Sequence, residues 1–171
     1  MIVYFIFTRD WLQKAVKAET SLLAVRRQKK LADGSVTDMM EELVMDEAYE
    51  VMLKRLFLEA HADLISKLSV NYLMDTPTDL SSVLQEFPDF RQDRDFSLWL
   101  NVSDEWPRQY QKTLDIKMQQ FLIDYVCWRW LETKSPEDAL SYAQKLLGTS
   151  NQIKELLIRR TRPGKIRPTF I

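Results

Sequence analysis

The side chains of this sequence that could do chemistry are few. It holds one His, His61, and one Cys, Cys127. A nucleophilic thiolate needs a base or a cation beside it, and His61 stands far away in sequence, between Ala60 and Ala62. Cys127 lies in the apolar stretch 121–131 and reads as a small buried hydrophobe. No Gly-x-Ser-x-Gly elbow occurs, so no serine triad is recognisable. Asp124, flanked by Ile123 and Tyr125, is the most anomalous acid. It is either a general acid of shifted proton affinity or a paired core or interface carboxylate. The second reading is preferred, because catalysis would need a partner acid that the pattern does not place. A single Cys and a single His exclude a disulfide within the chain and any zinc site built from several thiolates or imidazoles. A carboxylate-only metal site survives that test, but nothing points to one. Three Gly leave no phosphate-cradling loop. The sequence therefore assigns no catalytic residue, no metal and no cofactor.

The C-terminus carries a different kind of chemistry. Residues 159–171, RRTRPGKIRPTFI, hold Arg159, Arg160, Arg162, Lys165 and Arg167 and no acid, which leaves 19 basic residues against 25 acidic ones over residues 1–158. An acidic body thus ends in a basic tail. Pro163, Gly164 and Pro168 prevent a helix there, while Ile166, Phe170 and Ile171 supply apolar anchors that a purely electrostatic arm would not need. Such a segment can dock on an acidic neighbouring subunit or on phosphates, the alternative being a disordered, solvated end. Among the Trp residues, Trp99, Trp106, Trp128 and Trp130 would form either a stacking platform or packing at a core or interface. Packing is preferred, and Trp128 is taken with Arg159, Arg160, Arg162, Lys165, Ile166, Arg167 and Phe170 as a partner-contact residue.

The elements that must position these groups are mainly helical. Residues 9–28 show mostly helical spacing after Thr8, whose hydroxyl is expected to accept from an amide of the first turn. That helix is basic at its end, with Arg26, Arg27, Lys29 and Lys30, and a loop is expected over 29–37. Tyr49, Leu53, Leu56, Phe57, Ala60, Leu64 and Leu68 repeat at three and four residues and predict a long core helix over 46–68. Residues 75–95, rich in Pro, Asp and Ser, read as a long loop. Alternation over 96–101 predicts a short strand, paired with residues 2–7. Trp106-Pro107 opens a helix to about residue 133 whose C-terminal half is apolar nearly all round, so that it must be covered by the domain or by a partner. Ser135-Pro136 opens another, which either ends at Gly148 or runs through it to Ile158; a break over 148–150 is favoured. The expected fold is a single all-α domain over 1–158, of four to five helices with at most a minor β element, followed by the tail 159–171.

Length fits one domain with a sizeable core: 171 residues, 46% hydrophobic and 29% charged. The apolar run 2–7 is too short for a membrane span or a secretory core and has no basic residues before it. A cytoplasmic protein without a membrane partner is expected.

The order of the parts resembles head–tail connector (head-completion adaptor) proteins of tailed phages and prophages. It is carried by the long helix DEAYEVMLKRLFLEAHADLISKLS, a polar excursion, the start SDEWPRQYQ, the helix FLIDYVCWRWLE, a shorter closing helix and a basic Pro-containing tail, roughly residues 44–171. The part before residue 44 is longer than in the commonest connectors. The resemblance implies a non-enzymatic virion component whose helical body joins a ring between portal and tail, by self-assembly or on portal- and tail-like partners, and whose extended tail embraces a neighbour. A helical regulator holding nucleic acid through the tail, or through residues 26–30, is the alternative from another class.

Overall fold

The structure is a computed structural model that describes residues 1–30, 43–45, 49–68 and 95–159, with backbone alone at 28–30. Along the chain run β1 (Ile2–Phe7), α1 (Arg9–Lys30), α2 (Glu50–Lys67), β2 (Phe96–Asn101), a 3-10 turn (Arg108–Tyr110), α3 (Gln111–Leu131) and α4 (Pro136–Ile158). The described residues thus form four α-helices and one two-stranded sheet, a mainly helical fold with a minor β element.

Alternating hydrophobicity gives the sheet one inward face. β1 and β2 pair antiparallel with Val3 opposite Leu100, Phe5 opposite Leu98 and Phe7 opposite Phe96, and all six are buried. Two strands alone are marginal in water, so the face packs on the helices. The first amide of α1 is held from a distance: Arg9 N–H donates to Asp95 Oδ1 at 3.0 Å, placing a carboxylate at the positive end of the helix dipole. The Thr8 hydroxyl had been expected to accept from the first turn; Thr8 contributes its carbonyl, which accepts from Leu12 N–H at 3.1 Å.

α3 is the central helix, with α4, α2, α1 and β1 all packed on it. Phe121, Leu122, Ile123, Val126, Cys127, Trp130 and Leu131 are buried, so the domain itself covers the half that is apolar all round. Each such side chain adds roughly 1.5–3 kcal/mol of transfer free energy. The Trp130 indole N–H donates to the Leu43 carbonyl at 2.8 Å, and the Tyr49 ring meets Trp130 edge-on at 4.7 Å.

α4 corrects an expectation, for it runs unbroken through Gly148. Leu146, Thr149, Ser150 and Ile153 carry its buried face across the glycine, and that packing outweighs the roughly 1 kcal/mol a mid-helix glycine costs. The Trp106-Pro107 start also differs: Pro107 is extended, and the chain makes the 3-10 turn before α3 begins at Gln111. α3 ends at Leu131, and Lys29 and Lys30 continue α1 instead of opening a loop. Residues 46–48, the remainder of the 29–37 loop, the excursion 75–95 apart from Asp95, and the tail beyond Arg159 lie outside the described residues. No helix among the described residues is long and apolar enough to cross a membrane.

Candidate functional site

The acid singled out by the sequence is buried within a polar cluster between α1, α3 and α4. Asp124 is 1% exposed and accepts from Gln120 Nε2 at 2.9 Å, while its Oδ2 has no hydrogen-bond partner among the described residues. Burial pushes its carboxyl above the usual carboxylate range; Gln120 and Lys145 oppose that, and Glu19 reinforces it. The Tyr142 hydroxyl donates to Glu19 Oε2 at 3.0 Å, and the Lys145 ammonium lies 4.3 Å from the Tyr142 ring centre. Burial also raises the Cys127 thiol, with the Glu19 and Asp124 charges acting the same way, so that it stays protonated and unreactive at neutral pH. His61 lies elsewhere, its ring 5.0 Å from Phe96, and burial keeps the imidazole neutral against the pull of the Ser97 backbone. These groups sit within packed interfaces, and no group of three His, Cys, Asp or Glu able to hold a metal stands together among the described residues.

The partner-contact residues from the sequence separate in space. Trp128 is half-buried in the last turn of α3, edge-on to Tyr125 at 5.5 Å with the Arg129 guanidinium 5.6 Å from its ring. Arg159 lies beside the start of α3 instead, its guanidinium 5.3 Å from the Tyr110 ring. The two therefore form no common site. Arg160, Arg162, Lys165, Ile166, Arg167 and Phe170 lie outside the described residues. Of the basic cluster at the end of α1, Arg27 is engaged within the domain: its guanidinium donates to Asp138 Oδ2 from Nε at 3.0 Å and from Nη2 at 2.8 Å. That pairing raises its proton affinity and ties the end of α1 to the start of α4.

The root of the tail is fixed. Trp106 Nε1 donates to the Leu156 carbonyl at 2.8 Å in the last turn of α4, and Arg159 then leaves the helix in extended backbone, φ −64° and ψ 137°. Along the outer side of α4 stand Leu140, Leu147 and Ile158, 62%, 69% and 76% exposed. They are spaced about two and three turns apart and so share one side.

A groove opens between β1 and the first half of α3. It encloses about 760 Å³ and is lined by Tyr4, Ile6, Trp11, Arg108, Lys112 and Asp115 among others. Burial raises the Asp115 carboxyl, and the hydrogen bond from Gln119 Nε2 at 3.0 Å opposes that rise.

No family model, curated protein or solved structure matches this chain. The arrangement alone therefore carries the functional reading. Sequence reasoning missed both the groove and the Trp106 lock. Arg108, Lys112 and Asp115 at helical spacing were a visible signal for the first, whereas the bond from Trp106 to Leu156 joins residues 50 apart and left none.

Proposed function

We propose that this chain is a non-catalytic assembly protein of the head–tail connector kind that its element order resembles, docking on neighbouring subunits through residues 159–171. The observation that carries this reading is the anchored root: Trp106 holds the end of α4, and Arg159 leaves it extended against Tyr110. A tail starting from a fixed point and direction loses less freedom on docking than one starting from a frayed helix end. The outward stripe of Leu140, Leu147 and Ile158 supports the same reading, since it leads along α4 to that root and offers apolar area beside the basic segment. Arg27 is already paired with Asp138, which removes one cation from the alternative reading of a phosphate-binding cluster.

Negative-stain imaging of the concentrated full chain tests the proposal. Closed rings or regular oligomers are the expected result. Particles of monomer size at every concentration, with no change on adding portal-like rings, would contradict it.

A further inference from the structure

The groove between β1 and the first half of α3 carries charge that the domain does not neutralise. Arg108 and Lys112, four residues apart and both exposed, stand on its α3 side. Arg9, Arg27, Arg55 and Arg129 each meet a carboxylate within the domain, whereas among the described residues neither Arg108 nor Lys112 does. The Arg108 Nε–H donates to the Met1 sulfur at 3.2 Å, and among the described residues its two Nη groups have no acceptor. The first turn of α3 holds no acid. Asp115, the one acid among the described residues that line the groove, is half-buried and already accepts from Gln119 Nε2 at 3.0 Å. Two cations held together at a concave surface repel each other and favour an anion between them.

The other wall is apolar, and its backbone is engaged. Gln111 Nε2 approaches the Tyr4 carbonyl at 3.5 Å and the Tyr4 ring meets Trp99 at 5.2 Å. The middle of β1 is therefore closed to an added strand, and the groove presents side chains. Ile6, half-buried, and the Trp11 indole, 50% exposed, supply apolar surface there. The enclosed 760 Å³ falls within the range of small-molecule sites, about 300–1,000 Å³. A planar ring laid on an exposed indole removes apolar area of both partners from water.

We propose that this groove binds a small aromatic anion, whose planar ring lies against Trp11 and Ile6 and whose phosphate or carboxylate is held by Arg108 and Lys112. A neutral ring would leave the two cations unpaired, and a bare inorganic anion would leave Trp11 and Ile6 uncovered. The site is separate from the basic tail 159–171, and the proposal does not rest on tail docking.

The test titrates the full chain with two soluble anions and their uncharged counterparts, adenosine monophosphate with adenosine and naphthoate with naphthamide. Calorimetry gives the affinities, and the Trp11 indole signal, identified through Trp11→Phe, is followed by NMR. At least one anion is expected to bind saturably, to shift the Trp11 signal and to bind about tenfold or more tightly than its uncharged counterpart; the tighter of the two anions identifies phosphate or carboxylate as the group held. Arg108→Glu and Lys112→Glu are each expected to weaken it about tenfold or more, and Trp11→Ala about fivefold or more, with thermal midpoints retained because all three side chains are exposed. Lys154→Glu makes the same change of net charge on α4, away from the groove, and is expected to leave the affinity within about twofold. No saturable binding of either anion, equal binding of the uncharged counterparts, an unmoved Trp11 signal, full binding by folded Lys112→Glu, or an equal loss in Lys154→Glu would each overturn the proposal. A change in oligomeric mass on tail deletion bears on the assembly reading alone.

Discussion

The indole N–H of Trp106 donates to the backbone carbonyl of Leu156 at 2.8 Å, so the loop before α3 closes the last turn of α4. A helix ends with carbonyls that lack a partner in the helix. Here one of them is satisfied by a buried side chain, and the point where the tail leaves the domain is set by that bond.

Trp106→Phe keeps an aromatic in the site and removes the donor. The buried Leu156 carbonyl then lacks its partner, at a cost of about 1–3 kcal/mol. Urea unfolding is expected to report that loss, and amide exchange is expected to rise first in the last turn of α4. Unchanged exchange there would mean that Trp106 does not hold the helix end.

Gly148→Ala distinguishes a continuous α4 from a broken one. A Cβ at Gly148 meets nothing within 4 Å, and the backbone there is helical. The substitution is expected to stabilise the protein by about 0.5–1 kcal/mol. A loss of stability in thermal melting would point to the left-handed break favoured from sequence.

Asp124 gives stability a pH dependence of defined sign. Its folded-state proton affinity is raised, chiefly by burial. The folded chain therefore binds the proton more tightly than the unfolded chain does. This contribution is full below the ordinary aspartate value of about 3.9, and it is lost as pH rises through that value toward the raised one. Asp124→Asn removes the titration. Its melting temperature is expected to gain on the parent between acid and neutral pH, and a constant difference across that range would contradict the assignment.

Arg27 and Asp138 act as one unit across the ends of α1 and α4. Arg27→Met and Asp138→Asn are each expected to cost about 1–2 kcal/mol, the range for hydrogen bonds to charged groups reduced for partial exposure. The double variant is expected to cost little more than either single one, because the second change finds the pair already broken. Additive losses in urea melts would show that the pair is not coupled.

The helical and strand periods made much of this fold legible. Leu53, Leu56, Phe57, Ala60 and Leu64 repeat along α2 and are all buried. Phe96, Leu98 and Leu100 alternate and do pair with β1. What escaped were decisions taken by distant partners. Gly148 carries a local stop signal, yet packing of Leu146, Thr149 and Ile153 keeps the helix going. The cap of α1 comes from Asp95, 86 residues away, and not from the adjacent Thr8 hydroxyl. The site was less legible than the fold: the pairing of Arg27 with Asp138 spans 111 residues, and no spacing encodes it. Asp124 was anomalous in sequence for a physical reason, since an acid on an all-apolar stretch of helix must be buried.

The central claim, docking through a tail rooted at Arg159, is tested most directly by molar mass from light scattering across protein concentration. The full chain is compared with a chain ending at Ile158. A mass that rises with concentration in the full chain and stays flat in the shortened one is the predicted result. Two flat monomeric curves that stay flat when portal-like rings are added, or an equal rise in both, would contradict it.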